Sequence, residues 1–213
     1  MSATAMDNVR SATPGQVRRS PSVPAHWPIR RHVAAAETTP AGPLHSVEVT
    51  VPAKTNLTLH VGPAHEEWGG RHALDTIYCA IGVNDVVTAT AKTPGSGFSL
   101  ELSGEHLGDL TSSGSDMRRN HAVLALFAIA RAAGREPDVA LHVDKHIPVG
   151  AGLGGGSADA AATLLAVNTL WGLHWPIERL RDIAATLGAD MPFCLEGGYA
   201  HGTGFGERKI GRA

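Results

Sequence analysis

Cysteine is nearly absent. Cys79 and Cys194 are the only two in 213 residues. Two thiols make no disulfide framework, and such sparing use fits a reducing cytoplasm. Long hydrophobic runs are missing as well. No stretch approaches the ~20 apolar residues of a membrane-spanning helix. An excess of one charge is missing too: the formal net charge is −2, so the balance gives no reason to expect a nucleic-acid partner. An apolar content of 43% is enough for a real core, and the length admits one large domain or two small ones.

The first 45 residues lack acids and lack periodicity. Asp7 and Glu37 are their only carboxylates, set against Arg10, Arg18, Arg19, Arg30 and Arg31. Pro, Ser, Thr and Ala dominate. Composition of this kind reads first as a disordered N-terminal extension, or as residues added by a misplaced start codon. An Arg-rich, acid-poor organelle transit peptide is the second reading; without a clear amphipathic helix it ranks lower. Residues 46–213 then form the folded domain.

That domain begins with strands. Val47, Val49 and Val51 alternate in Ser46–Val51, and Leu57, Leu59 and Val61 alternate again after Pro52. Val86–Ala91 and Phe98–Leu102 read as two more strands around the turn Thr93–Gly97. His121–Ala133 places Val123, Leu126, Phe127 and Ala130 on one helical face and stops at Gly134. Asp138–Val143 alternates as a strand. Ser157–Trp171 is helical and apolar almost all round, the mark of a buried helix. Glu178–Leu187 is a helix ended by Gly188. Strands followed by helices mixed with a few strands predict an α+β fold.

Between the last strand and the buried helix lies the most informative segment: Pro148-Val149-Gly150-Ala151-Gly152-Leu153-Gly154-Gly155-Gly156-Ser157-Ala158. Five glycines at a helix start expose unpaired amide donors to an anion, aided by the helix dipole. A tight turn for packing needs fewer. A Walker A loop requires a lysine before the Ser, and none stands there. Gly150, Gly152 and Gly155 formally match G-x-G-x-x-G, but His174-Trp175-Pro176-Ile177 leads to another helix where a Rossmann fold needs a second strand and an acid. A G-x-S-x-G elbow would need glycine where Asp159 stands.

Pro148-x-x-x-Gly152-Leu153-Gly154-x-x-Ser157-Ala158 resembles the ATP-phosphate loop of the GHMP kinases. Val51-Pro52-Ala53-Lys54-Thr55-Asn56-Leu57-Thr58-Leu59 is similar to that superfamily's P-(A/G)-K-x-N-L-x-L segment. Leu187-Gly188-Ala189-Asp190-Met191-Pro192-Phe193 is similar to its L-G-(A/S)-D-(V/I)-P-F. Asp144-Lys145-His146-Ile147-Pro148, Asn168-Thr169-Leu170-Trp171 and Gly202-Thr203-Gly204-Phe205-Gly206-Glu207 agree further. The six segments keep the family's order from about Val47 to Glu207. Together they resemble the branch that phosphorylates a cytidine-diphosphate-linked methylerythritol in non-mevalonate isoprenoid synthesis.

The resemblance implies a ribosomal protein S5 domain 2-like N-terminal domain that binds ATP along Pro148–Ala158. It implies transfer of the γ-phosphoryl group to a substrate hydroxyl, with Asp190 as general base and Lys54 as its cationic partner. Carboxylate proton transfer supplies typically 10²–10⁴-fold. Read locally, Asp190 is instead a helix N-cap and Lys54 a strand-end lysine. Asn56 orders the backbone or contacts substrate. Lys145 lies near the nucleotide or is solvated. Ser157 contacts phosphate or Mg²⁺, or caps its helix. Mg²⁺ is expected because phosphoryl transfer needs charge neutralisation, although no metal-ligand cluster is visible; His142 and His146 need not converge.

Two departures stand out. The family's D-G-Y-H is here Gly69-Gly70-Arg71-His72, so a base-stacking tyrosine gives way to the Arg71 guanidinium, which also stacks on flat groups. His72 is kept for the cytosine, with His201 as the opposing flat partner. Family members also continue past Glu207 into a C-terminal domain, whereas this chain ends at Ala213. That implies a missing half and a rival reading as an impaired ATP-binding remnant. Another GHMP kinase acting on a sugar or mevalonate-type substrate is the third.

Overall fold

The computed structural model describes residues 29–33, 44–105, 107 and 117–212. Most of the expected extension, residues 1–45, lies outside that set. Among these residues, seven strands and four α-helices follow in the order β1 (Ile29–Val33), β2 (Leu44–His65), β3 (Arg71–Ala91), β4 (Ser99–Gly104), α1 (His121–Ala133), β5 (Val139–Lys145), α2 (Gly155–Leu170), α3 (Ile177–Leu187), α4 (Met191–Cys194), β6 (Tyr199–Thr203) and β7 (Arg208–Arg212). The strands make one sheet, ordered β1-β2-β3-β5-β4, with β6 also pairing β3 and β7 pairing β6. The class is α+β.

The long antiparallel hairpin β2–β3 organises this sheet. The end of β3 pairs β5 through Val86–Ala91, while its middle pairs β6 through Thr76–Cys79. One strand therefore serves two sheet halves. The expected strand Val86–Ala91 is only its last third. Pro52 does not end β2 as expected. The register shifts between Pro52 and Ala53, and a bulge is where a strand tolerates a residue without an N–H. The two strands flanking Thr93–Gly97 are not neighbours either. β4 pairs with β5 in parallel, because α1 supplies the crossover that parallel strands need.

Ile29–Val33 is an exception to the expected disorder of residues 1–45. It pairs with β2 in antiparallel register, Ile29 opposite Val49. Its Arg-Arg-His centre gives no alternation from which a strand could be read.

The core lies between the sheet and α1 and α2. Val47, Val49 and Val51 alternate inward from β2, and Val139, Leu141 and Val143 from β5. Helix α2 is buried at every position from Ala158 to Leu170; it packs on β2, β3, α1, α3 and α4. Its apolar circumference is what such a central position demands. Asn120 caps α1 by accepting the Ala122 N–H at 2.9 Å, and Gly134 closes it in the left-handed region. Leu57, Leu59 and Val61, an alternating apolar set, are exposed. No helix among the described residues is long and apolar enough to cross a membrane.

Candidate active site

Helix α2 starts without a side-chain cap. Its N-cap is Gly154, in the left-handed region at φ 72°, so Ser157 does not serve as the cap. Gly150 and Gly152 take the same conformation at φ 77° and 75°. These alternating left-handed glycines curl the loop before the helix and leave its first amides unpaired by capping side chains. The loop borders a cavity of about 380 Å³, a size that suits a small molecule. Every residue from Pro148 to Ser157 lines it. Ala158 does not: it is buried in the core, its N–H bonded to the Gly154 carbonyl at 2.8 Å.

The start of α1 forms the facing wall through Arg119, Asn120 and His121. Burial, and then the charge of Lys145, hold the His121 imidazole below the ordinary histidine range. A neutral ring next to two helix N-termini is favourable for anion binding only weakly. It becomes more so if it takes up a proton.

Lys145 is the floor of this region, and it is not solvated. The inward alternation Val139, Leu141, Val143 continues to position 145, so the period of the strand carries a lysine into the interior at 2% exposure. Its ammonium donates to Asp85 and, at 2.7 Å, to Asp159. Asp85 also accepts the backbone N–H groups of His146 and Ile147 at 2.6 and 2.8 Å. Burial works to discharge Lys145, but the two carboxylates outweigh it and raise its pKa. Asp159 is pushed up by burial, against the pull of Lys145. The direction is physically sound, because two buried carboxylates share one cation. Asp159 Oδ1 has no hydrogen-bond partner.

Lys54 joins the glycine loop to Asp190. Its backbone N–H donates to the Leu153 carbonyl at 2.9 Å. Its side chain runs against Gly154, where an added Cβ would fall 2.8 Å from Lys54 Cγ. The ammonium then reaches Asp190 Oδ2 at 3.1 Å and donates to Asn56 Oδ1 at 3.0 Å. Asn56 Nδ2 donates to Thr76 Oγ1 at 2.7 Å, and that hydroxyl to the Thr58 carbonyl at 2.6 Å. Asn56 thus fixes Lys54 from within the sheet. Asp190 occupies the N-cap position of α4, yet its side chain makes no capping bond. The carboxylate is turned to Lys54 and, through Oδ1, to the Tyr78 hydroxyl at 3.0 Å. Tyr78, Asp85 and Asp159 carry no recognisable motif signal, and sequence reasoning missed all three roles.

The expected base-binding residues have other partners. Arg71 lies over the Phe205 ring at 4.4 Å, and Trp68 stands 6.1 Å from Phe205 and 4.3 Å from His65. His72 Nδ1 is 2.9 Å from the Gly62 carbonyl. His201 Nε2 is 2.9 Å from Asp75. His201 sits opposite Ile77, whose exposed side chain points away from the Tyr78 face. His142 and His146 do connect, through Ser103 and Asp144 at 3.0 Å steps, but no group of three or more ligands suited to a metal occurs among the described residues.

Residues 120–198 match the model of the GHMP kinases N terminal domain. The chain is 77% identical over 165 residues to a 4-diphosphocytidyl-2-C-methyl-D-erythritol kinase of Bifidobacterium adolescentis, covering 78% of this chain and 54% of that protein. To the kinase of the same name in Mycobacterium tuberculosis it is 47% identical, covering 78% and 49%. A crystal structure of 4-(cytidine 5'-diphospho)-2C-methyl-D-erythritol kinase superposes with a TM-score of 0.60 at 37% identity, over 78% of this chain and 55% of that one. The chain spans about half the length of the curated relatives it matches. With loop, lysine and aspartate set in this arrangement on a matching fold, the chain belongs to the GHMP kinase superfamily and carries its N-terminal domain.

Proposed function

We propose that this chain carries the nucleotide-binding and proton-transfer half of an ATP-dependent small-molecule kinase. Its substrate is 4-diphosphocytidyl-2-C-methyl-D-erythritol, and its pathway is non-mevalonate isoprenoid synthesis. The observation that carries this reading is Lys54. One residue touches the glycine loop with its backbone and stem and pairs with Asp190 through its ammonium.

ATP phosphates lie along the loop, held by the uncapped amides of α2 and by the dipole. Asp190 accepts the proton of the substrate hydroxyl as its oxygen bonds to the γ-phosphorus. The bond from that phosphorus to the β-phosphate bridging oxygen breaks, and ADP leaves. Lys54 stabilises negative charge on the hydroxyl and phosphoryl oxygens. Asn56 keeps that ammonium aimed. Ser157 and the unpartnered oxygen of Asp159 would hold a Mg²⁺ bound largely through the nucleotide phosphates, and that ion would supply neutralisation of phosphate charge. The Arg71–Phe205 stack offers a flat cationic surface for the cytosine, with His72 beside it in sequence.

A substrate panel tests the reading. The chain is incubated with ATP and Mg²⁺ plus the cytidyl substrate, homoserine or mevalonate, and phosphorus NMR follows the products. A new phosphomonoester only with the cytidyl substrate is expected. Phosphorylation of homoserine or mevalonate in preference would overturn the substrate assignment.

A further inference from the structure

Asp190 is gripped at both oxygens, and only one of the two partners belongs to a recognised motif. Lys54 takes Oδ2 and the Tyr78 hydroxyl takes Oδ1. Tyr78 lies directly opposite Asn56 in the β2–β3 ladder. Residues opposite each other in an antiparallel pair share a sheet face, so the register itself delivers the phenol to the Lys54 side.

The space around Tyr78 is built for its ring. The ring stacks on Phe193 with centroids 4.9 Å apart and planes 23° from parallel. Phe193 belongs to α4, the short helix that Asp190 opens, so one contact fixes phenol and carboxylate together. Two glycines of Gly202-Thr203-Gly204-Phe205-Gly206-Glu207 close over the other side. A Cβ at Gly202 would lie 2.6 Å from Tyr78 Cε2, and one at Gly206 would lie 2.7 Å from the Tyr78 oxygen. Glu207 holds that turn by accepting the Phe205 N–H at 2.7 Å. Tyr78 is 1% exposed, whereas the Asp190 side chain keeps 31% of its surface. The phenol is thus closed off while the Asp190 side chain stays partly open.

We infer that Tyr78 is a positioning residue for phosphoryl transfer, locking the Asp190 carboxylate so that its open side meets the substrate hydroxyl. The glycines at 202 and 206 serve that lock by making room for the phenol. The inference rests on the general-base reading of Asp190 given above. Tyr78 is buried and does not line the loop cavity, so it acts only through Asp190.

One arm of the test needs no turnover. Tyr199→Phe leaves Tyr78 as the sole tyrosine, since the chain has two. The intensity ratio of the tyrosine Raman doublet then reads whether that phenol donates a hydrogen bond. The signature of a strong donor is expected, and Asp190→Ala should remove it. A ratio unchanged by Asp190→Ala would overturn the contact.

The second arm follows transfer. Tyr78→Phe is expected to lower kcat about tenfold and leave KM for ATP within about twofold, because misorientation affects the transition state more than binding. In an Asp190→Asn background it should cause no further loss. Tyr78→Leu, which also removes the stacking, controls for packing. Equal kcat for Tyr78→Phe and wild type, with loss only in Tyr78→Leu, makes the residue a packing element and overturns the positioning role. Full transfer by Asp190→Asn alone would instead remove the general-base reading on which the role depends.

Discussion

The ammonium of Lys54 lies 3.1 Å from Asp190 Oδ2, although β2 and the start of α4 sit at opposite ends of the domain sequence. The same lysine donates its backbone N–H to the glycine loop at Leu153. Cation, carboxylate and anion cradle are therefore one connected unit.

Removing the cation should separate binding from chemistry. Lys54→Met keeps an unbranched stem against Gly154 and deletes only the charge. ATP affinity measured by calorimetry should stay within about threefold, while transfer falls by roughly 10² or more, as for loss of an electrostatic transition-state contact. Equal losses in both quantities would place Lys54 in nucleotide binding instead.

Gly154→Ala should damage the cradle. The residue sits at φ 72°, where a side chain costs about 1–2 kcal/mol, and the new Cβ would press on the Lys54 stem. A lower thermal midpoint together with weaker ATP binding is the expected result. Ala at the open, left-handed Gly95 is the comparison: it carries the same backbone strain with nothing within 4 Å, so it should lower stability and leave ATP affinity unchanged.

The buried triad under the loop should be unforgiving. Asp85→Ala leaves Lys145 with one carboxylate and strips two backbone N–H groups of their acceptor. Breaking a buried pair in this way costs about 3–5 kcal/mol, readable by urea denaturation. Asp159→Asn keeps an oxygen for Lys145 and removes one of two buried negative charges, so it should cost far less. The opposite ranking would contradict the roles given to the two carboxylates.

A pH test isolates His121. Its folded pKa lies below the unfolded value of 6.5, so the unfolded chain binds the proton first. Stability from this residue is present above pH 6.5 and is lost as pH falls from there toward the folded value. Asp159, raised on folding, has the reverse slope: its contribution is present below its ordinary carboxylate value of 3.8 and is lost as pH rises through the folded one. The informative quantity is therefore the difference between wild type and His121→Gln across pH 7 to 5. That difference should shrink as pH falls, and ATP, whose phosphates favour protonated His121, should reduce the wild-type loss. A difference that stays constant with pH would show that His121 does not titrate as assigned.

Much of this was readable in the residues, for physical reasons that differ by element. α1 was legible because the spacing of Val123, Leu126 and Ala130 and the stop at Gly134 agree, although Phe127, read on the same face, is exposed and the Asn120 cap was not read. The glycine loop and Asp190 were legible because their spacing repeats a family pattern. β3 was legible only near Val86–Ala91. Farther back its inward positions are Thr76 and Tyr78, chosen to meet Asn56 and Asp190, so no apolar alternation marks them. For Lys145 only the solvated alternative fails, for a related reason: strand period decides burial, and a polar residue at an inward position gives no sign of its partners. Asp85 and Asp159, those partners, come from β3 and α2, and only the fold brings them together.

The most direct measurement compares γ-phosphoryl transfer by the chain and by its Asp190→Asn variant, with ATP binding determined in parallel. The account predicts ATP affinities that agree within about threefold and transfer reduced by roughly 10²–10⁴ in the variant, the range for loss of a general base. Transfer to the cytidyl substrate at an equal rate in both proteins would contradict it.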